Sequence, residues 1–257
     1  MSDSLHILAD LHTHTLFSRH AYSTLQENIT AAVSNGMQYL AVTDHYYGDG
    51  TELDRENEVS RFRYLPEINR YVSDIKIIGG GEFNLGQTPF QWNLLQHLTW
   101  KLTGLHRFHR KPETLSAEEV YHLFCNAAAE YTAFAHIERS LHKISDGRYG
   151  CDLCPEIRNL LEQIVMLAKQ KHIYLEVNER SFSQQANGSV RRLEYWLSAA
   201  REMQCLICIG SDAHYAGQIG SFPHSEEILS RLAYPEELIL NCREDLLRQF
   251  VSGGEEA

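Results

Sequence analysis

The stretch ADLHTHTLFSRHAYST, from Ala9 to Thr24, joins an apolar run to three histidines and then to the start of a helix-like segment. Its first part is typical of a β-strand that ends on His12 and His14. Because alternate residues of a strand point to the same side, both imidazoles would face one direction. Thr24 is a good N-cap for the segment TLQENITAAVSNG, in which apolar residues recur at helical spacing. The stretch therefore predicts a strand, a polar loop and a helix.

Strand-like apolar runs alternate with segments of helical period along the rest of the chain. The later runs are YLAVTDH, IKIIGGGEFNL, LTGLHRF, TAFAHI, IYLEVN and CLICIGSD. Among the predicted helices, Ser116 would cap SAEEVYHLFCNAAAEY and Pro155 would open PEIRNLLEQIVMLAKQ. This alternation is typical of parallel strands joined by helices, and no shift in composition marks a linker. We expect one α/β domain over residues 1–257, with a barrel favoured over an open doubly wound sheet.

Composition and charge argue against several classes of protein. No apolar run approaches the ~18 residues that a membrane-spanning helix needs, and the start MSDSLHILAD lacks a basic segment followed by an apolar run. We therefore expect a cytoplasmic protein with no membrane contact. The formal net charge of −11 argues against binding to nucleic acid, because such binding depends on lysines and arginines that neutralise phosphates.

Two C-x-x-C pairs, CDLC and CLIC, raise the question of a zinc or redox site. In the strand-like run CLICIGSD, Cys205 and Cys208 would point to opposite faces and could not hold one ion. We expect ordinary buried thiols there. Cys151 and Cys154 precede a helix and could chelate an ion, but no second pair of ligands with suitable spacing accompanies them.

Imidazoles and carboxylates stand at the ends of the strand-like runs. They are His12 and His14, Asp44 and His45, Glu82, His106, His136, Glu176 with Asn178, and Asp212 with His214. The carboxyl ends of parallel strands share one face of an α/β fold, and active sites form at that face. Histidines elsewhere, apart from His20, fall mostly in helices and loops, where we expect them to be solvated or paired.

Burying so many imidazoles beside carboxylates is unfavourable, because these groups have few protons to share. Divalent ions would remove the difficulty. His12 and His14 can hold one ion together, and Asp212 and His214 repeat the same spacing. Mixed nitrogen and oxygen ligands suit zinc, iron or manganese better than calcium. Asp44 is either a ligand or, as we favour, a carboxylate that accepts the second N–H of a metal-bound histidine.

In their order along the chain, these motifs resemble those of the PHP family, named for polymerase and histidinol phosphatase, and specifically its free-standing phosphoesterases. DLHTHT resembles the opening H-x-H motif, RHAYST the third histidine, VTDH the second motif and GGGEFNL the strand that carries a glutamate. GLHRF and AHIERS resemble further histidine motifs, LEVNERSF a strand of the family and GSDAH the closing D-x-H motif.

The resemblance implies a distorted seven-stranded β/α barrel that binds three divalent ions. Carried over by position, the ligands would be His12, His14, Glu82 and Asp212 for the first ion, Glu82, His106 and His136 for the second, and His20, His45 and His214 for the third. Glu82 would bridge the first two ions. Every one of these positions carries a residue type that binds metal, which indicates a working site.

The resulting hypothesis is metal-dependent hydrolysis of a phosphate ester, with a small-molecule monoester as the favoured substrate. Clustered ions bind phosphoryl oxygens, activate water and stabilise the leaving oxygen. The candidate catalytic residues are Glu82, Asp212 and His214. A guanidinium fork fits phosphate, so the candidate substrate-binding residues are Arg107, Arg139 and Arg180. The alternatives are a nuclease or proofreading phosphodiesterase and a non-catalytic metal-binding module.

Overall fold

Seven parallel strands lie side by side in chain order. The computed structural model describes residues 5–87, 92–95, 98–106, 115–139, 141, 153–187 and 189–251. Within these ranges the strands are β1 (Ala9–Thr13), β2 (Tyr39–Val42), β3 (Lys76–Asn84), β4 (Trp100–Gly104), β5 (Ala133–Phe134), β6 (Tyr174–Asn178) and β7 (Ile207–Gly210).

The sheet curves round until β1 meets the segment that follows β7. A parallel bridge joins Thr13 to Ala213, and the Asp10 carboxylate accepts the backbone N–H of Ser211 at 3.0 Å. On the amino side of this seam, the Asn241 amide bonds backbone groups of both strands at 2.7 to 2.9 Å. An amide carries both donors and an acceptor, so it can pair with two strand edges at once. The strands form a nearly closed barrel, which confirms the predicted fold class.

Helices connect the strands and follow the last one. In the described ranges they are α1 (Leu25–Ser34), α2 (Glu52–Tyr64), α3 (Trp92–Leu95), α4 (Ala117–Ala127), α5 (Pro155–Lys171), α6 (Ser189–Glu202), α7 (Pro223–Arg231) and α8 (Glu244–Leu247). The predicted caps are confirmed. Thr24 and Ser116 each form a capping box with the glutamate three residues later, and Pro155 opens α5.

The strand β5 is shorter than the run TAFAHI predicts. It ends at Phe134, and two residues later His136 adopts a positive φ of 33°. A non-glycine residue with positive φ cannot continue an extended strand, so the backbone turns there. The chain thus leaves the sheet where the side chain of His136 enters the carboxyl end of the barrel.

The apolar core has two layers, one inside the barrel and one between the sheet and the helices. Cys208 belongs to the inner cluster with Trp100 and Leu102, whereas Cys205 belongs to the outer cluster and lies against Val165. Both thiols are buried. The strand periodicity predicted this separation, which prevents the two sulfurs from sharing an ion.

Cys154 is the N-cap residue of α5, but Cys151 lies outside the described residues. None of the helices in the described ranges has the length and apolar character needed to cross a membrane.

Candidate metal centre

The seven predicted histidine ligands gather at the carboxyl end of the barrel. Neighbouring ring centroids lie 4.4 Å apart for His14 and His214, 4.6 Å for His14 and His45, and 4.9 Å for His106 and His136. His12 and His14 are fully buried, and the exposed His20 lies with its ring 4.6 Å from that of His214. The strand ends therefore bring these imidazoles into one cluster, as the parallel alternation predicted.

Glu82 lies at the centre of this cluster, on β3. Its Oε1 atom is 2.6 Å from His106 Nε2 and 2.8 Å from His136 Nε2. Those two nitrogens are 3.2 Å apart. Glu82 Oε1 and the two imidazole nitrogens thus form one group of possible ligand atoms, contributed by β3 and by the ends of β4 and β5.

The other oxygen of Glu82 faces a different set of nitrogens. Oε2 lies 3.0 Å from His45 Nδ1, 3.3 Å from His12 Nε2 and 3.4 Å from His14 Nε2. It is buried, and within the described part of the chain it accepts no hydrogen bond. A buried carboxylate oxygen that faces several imidazole nitrogens without a hydrogen bond is unfavourable unless a cation lies among them. The donor set therefore fits a divalent ion.

Asp212 and His214 complete the cluster from the segment after β7. Asp212 Oδ1 is 3.3 Å from His14 Nε2 and 3.9 Å from His12 Nε2. His214 Nε2 is buried and has no hydrogen-bond partner in the described ranges. Among the residues that the structure describes, three groups have ligand atoms within 4.8 Å of one another. They are His12, His14 and Asp212, then His14, His45 and His214, and finally His45, Glu82 and His106. His14 and His45 each belong to two groups, whereas the resemblance placed each with one ion.

The protonation states favour cation binding. Burial, with a smaller contribution from His45, lowers the pKa of His14 well below its ordinary value, and burial lowers the pKa values of His106 and His214 to about 4. Burial alone would raise the pKa values of both carboxyls, but nearby histidines hold those of Glu82 and Asp212 well below the usual range. Neutral imidazoles and ionised carboxylates are the forms that bind metal.

His12 differs from His14, His106 and His214 in the direction of its pKa shift. Burial would lower its pKa, but the Glu176, Glu82 and Asp212 carboxylates raise the pKa of His12 well above its ordinary value. Glu176 is the nearest, with Oε1 2.5 Å from His12 Nδ1. An ion at this position must therefore compete with a proton.

The exposed His20 is held from outside the cluster. Its Nδ1 atom is 3.1 Å from the Tyr47 hydroxyl oxygen, and that hydroxyl donates to the Ser18 carbonyl at 2.5 Å. Arg19 lies over the Tyr47 ring and pairs with Asp49 at 2.7 Å. Sequence reasoning missed Tyr47, because nothing in the motif VTDHYY distinguishes a tyrosine that orients a histidine from one that packs in a core.

Asp44 acts less directly than the sequence suggested. Its carboxylate accepts the backbone N–H and the hydroxyl of Thr15 at 2.6 and 2.7 Å, and the Ser18 hydroxyl at 2.7 Å. The Ser18 oxygen in turn lies 2.9 Å from His14 Nδ1. Asp44 thus supports His14 through Ser18, because its own hydrogen bonds go to the loop that follows β1.

Two of the three predicted substrate-binding arginines lie beside the cluster. Arg139 is largely buried, with Nη1 2.5 Å from Asp212 Oδ2 and 3.5 Å from Asn178. Arg180 is more exposed, at 41% for its side chain, and its Nη1 is 2.7 Å from His214 Nδ1. Arg107 lies outside the described residues. Both described guanidinium groups thus contact residues of the cluster, Arg139 through Asp212 and Arg180 through His214.

Comparison with known proteins finds a matching family model and relatives that are named as phosphatases. A family model described as the PHP domain matches residues 10–180. A probable phosphatase of Shewanella pealeana is 28% identical over 249 residues, covering 95% of this chain and 92% of the relative. A probable phosphatase of Caldanaerobacter subterraneus is 26% identical over 251 residues, covering 96% and 92%.

Solved structures show the same fold at lower identity. Histidinol phosphate phosphatase from Lactococcus lactis, complexed with zinc, L-histidinol and phosphate, has a TM-score of 0.57 at 17% identity, covering 88% of this chain and 94% of that one. The putative histidinol phosphatase from Listeria monocytogenes has a TM-score of 0.60 at 17% identity, and the match covers 82% of this chain and 97% of that one. With a family model that spans more than half of its residues, the chain belongs to the PHP domain family.

Proposed function

We propose that this PHP family member, a phosphoester hydrolase, cleaves a small phosphomonoester at a centre of three divalent ions. The observation that carries the proposal is the environment of Glu82, whose two oxygens face two separate sets of imidazole nitrogens. A carboxylate in that position suits a bridge between two cations. The named relatives are probable phosphatases, and one solved neighbour holds zinc and phosphate.

The residues divide among the ions as the family resemblance implies. The first ion would take His12, His14, Glu82 and Asp212, the second Glu82, His106 and His136, and the third His20, His45 and His214. Mixed nitrogen and oxygen ligands fit zinc, manganese or iron. When bound, such ions supply Lewis acidity toward phosphoryl oxygens and an activated water.

The catalytic role of the protein side chains is to hold charge in fixed positions. Glu82 and Asp212 are ionised and buried, so they offset the positive charge of clustered cations. His214 stays neutral near pH 7, because burial lowers its pKa to about 4. In the tautomer whose Nδ1–H donates to the Asp212 carbonyl at 2.9 Å, its Nε2 atom can hold an ion or accept a proton. These three residues are the proposed catalytic set.

Substrate binding would fall to the arginines at the edge of the cluster. Arg180 is the more exposed of the two described, so its guanidinium can turn toward a phosphoryl oxygen at the mouth. Arg139 contacts Asp212, so its guanidinium would hold that carboxylate in place and contact the phosphate group of the substrate at the same time. Arg107, which follows His106 in sequence, stays a candidate from the sequence alone. A small substrate is favoured because the net charge of −11 gives little attraction for a polyanion.

A substrate panel tests this function. Purified protein loaded with manganese or zinc would be assayed for inorganic phosphate released from sugar, amino-alcohol and nucleoside monophosphates, and for cleavage of single-stranded DNA and phosphodiesters. We expect turnover of at least one class of monoester well above that of every diester. Faster cleavage of DNA or diesters would replace this proposal with a nuclease function, and inactivity toward all substrates would indicate a metal-binding module.

A further inference from the structure

Glu176, on β6, joins two ligand residues that belong to different proposed ions. Its side chain is 1% exposed. Oε1 lies 2.5 Å from His12 Nδ1, and Oε2 accepts the backbone N–H of His136 at 3.0 Å. One carboxylate thus contacts both the ring of His12, the first histidine of the H-x-H motif, and the main chain of His136, which lies more than 100 residues later in the sequence.

These contacts fix the tautomer of His12. A carboxylate oxygen only accepts hydrogen bonds, so Nδ1 of His12 must carry a proton. The lone pair needed for a metal is then on Nε2, the atom that points toward Glu82 Oε2 at 3.3 Å and His14 Nε2 at 3.0 Å. We propose that Glu176 is a positioning residue that sets the ligand atom of His12 and the backbone of His136 together. The inference rests on the metal centre proposed above.

The backbone of His136 needs such support. Its φ of 33° lies in a region that non-glycine residues rarely adopt. In this conformation the ring places Nε2 2.8 Å from Glu82 Oε1. The hydrogen bond from its N–H to Glu176 holds the turn that makes this approach possible.

Gly210, on the neighbouring strand β7, leaves room for the contact between Glu176 and His12. A Cβ atom at Gly210 of β7 would lie 2.4 Å from His12 Cβ and 2.5 Å from Glu176 Oε1. Both distances are far below van der Waals contact. Glycine at this position therefore leaves space for the ring of His12 and the Glu176 carboxylate to meet.

The chemistry of an amide gives a sharp test. Glu176→Gln keeps the size of the side chain but has one acceptor oxygen for two donors. If the oxygen faces the N–H of His136, the amide NH₂ faces His12 and requires the tautomer whose Nε2 cannot bind a metal. If the oxygen faces His12, two donors oppose each other at His136. A role in packing alone predicts that the isosteric variant is harmless.

The experiment measures zinc binding by metal-free protein in competition with a chromophoric chelator, with the number of bound ions from elemental analysis. For Glu176→Gln and Glu176→Ala we expect zinc affinity about 10- to 100-fold below that of the wild type. The matched control is Glu179→Gln, because Glu179 likewise accepts two backbone N–H groups, those of His224 and Ser225 at 3.1 and 2.9 Å, in the first turn of α7. It should bind zinc like the wild type. Wild-type affinity in Glu176→Gln would overturn the inference.

A second measurement needs no variant of Glu176. In zinc-loaded wild-type protein, long-range proton–nitrogen NMR correlations report which ring nitrogen of each histidine carries the proton. We expect a proton on Nδ1 of His12, assigned by its loss in His12→Gln, and a proton on Nε2 would overturn the inference. If the wild type hydrolyses monoesters and Nδ1 is the metal ligand, the positioning role fails while the proposed function stands. If the wild type binds no divalent ion, both fail.

Discussion

The two ends of the barrel differ in how their buried polar atoms are paired. At the amino end, the Trp100 indole donates to the Leu11 carbonyl at 2.8 Å and its ring lies 5.1 Å from that of Phe250. Asn241 pairs there with backbone groups of β1 and β7. At the carboxyl end, Glu82 Oε2 and His214 Nε2 are buried without a hydrogen-bond partner among the described residues. The pairing at the amino end therefore stabilises the fold, whereas the unpaired atoms at the carboxyl end are those of a binding site.

The largest expected effect comes from neutralising the carboxylate at the centre of the binding end. Glu82→Gln keeps the shape but removes the charge that offsets neighbouring cations, so at least one ion should be lost. We expect elemental analysis to show partial loss of metal and phosphatase activity to fall at least ~100-fold, equivalent to ~3 kcal/mol. Glu119→Gln, which neutralises an exposed carboxylate in the first turn of α4, is the control and should retain both. Full metal content with near-normal turnover would mean that Glu82 is not the bridging ligand.

A substitution at the amino end should produce the opposite pattern. Asn241→Ala removes hydrogen bonds to Ala9 and Ile209 and leaves buried backbone groups unpaired, at about 1–3 kcal/mol of the free energy of unfolding. Urea unfolding of the metal-free protein measures this loss without the contribution of bound ions. The metal content per chain should not change. A variant that loses metal while keeping its unfolding free energy would contradict the division between the two ends.

The pH dependence of metal affinity should be smaller and has a definite sign. Burial would lower the pKa of His12, but Glu176, Glu82 and Asp212 raise it above 6.5, and Glu82 likewise outweighs burial and raises the pKa of His45. Both rings are therefore protonated at a pH where an ordinary imidazole is already neutral. Zinc affinity measured from pH 6.5 upward should therefore rise with pH, by up to about tenfold per unit for each proton displaced. An affinity that stays constant as the pH rises would show that neither proton competes with the ion.

The smallest expected effect on the metal comes from the CLIC pair. Cys205 and Cys208 lie in separate core clusters, so they cannot hold one ion. We expect the double variant Cys205→Ser and Cys208→Ser to retain the metal content of the wild type by elemental analysis, whatever the cost of two buried hydroxyls to its stability. Loss of one ion per chain would show that the thiols contribute to a site.

The sequence predicted what depends on local periodicity. Strand spacing placed His12 and His14 on one side, and the parallel alternation predicted that seven strand ends would meet in one cluster. Capping residues such as Thr24 were equally predictable, because a cap bonds backbone groups of its own helix.

Contacts between distant segments were not predictable in the same way. Asn241 closes the barrel seam more than 200 residues after Ala9 in sequence, and no local pattern links them. Glu176 was visible as a polar residue at a strand end, but its contacts with His12 and His136 depend on the positive φ of His136 and on space left by Gly210. Asp44 was predicted to accept a hydrogen bond from a histidine ligand itself, but the Ser18 hydroxyl lies between it and His14.

We propose that the unpaired atoms at the carboxyl end bind the ions on which phosphate-ester hydrolysis by this protein depends. The most direct test is p-nitrophenyl phosphate turnover in one preparation, before chelation, after exhaustive chelation verified by elemental analysis, and after manganese or zinc is restored. We expect activity to disappear with the metal, to return with it, and to reach its maximum at three ions per chain. Turnover that persists unchanged in protein shown to be free of metal would contradict the proposal.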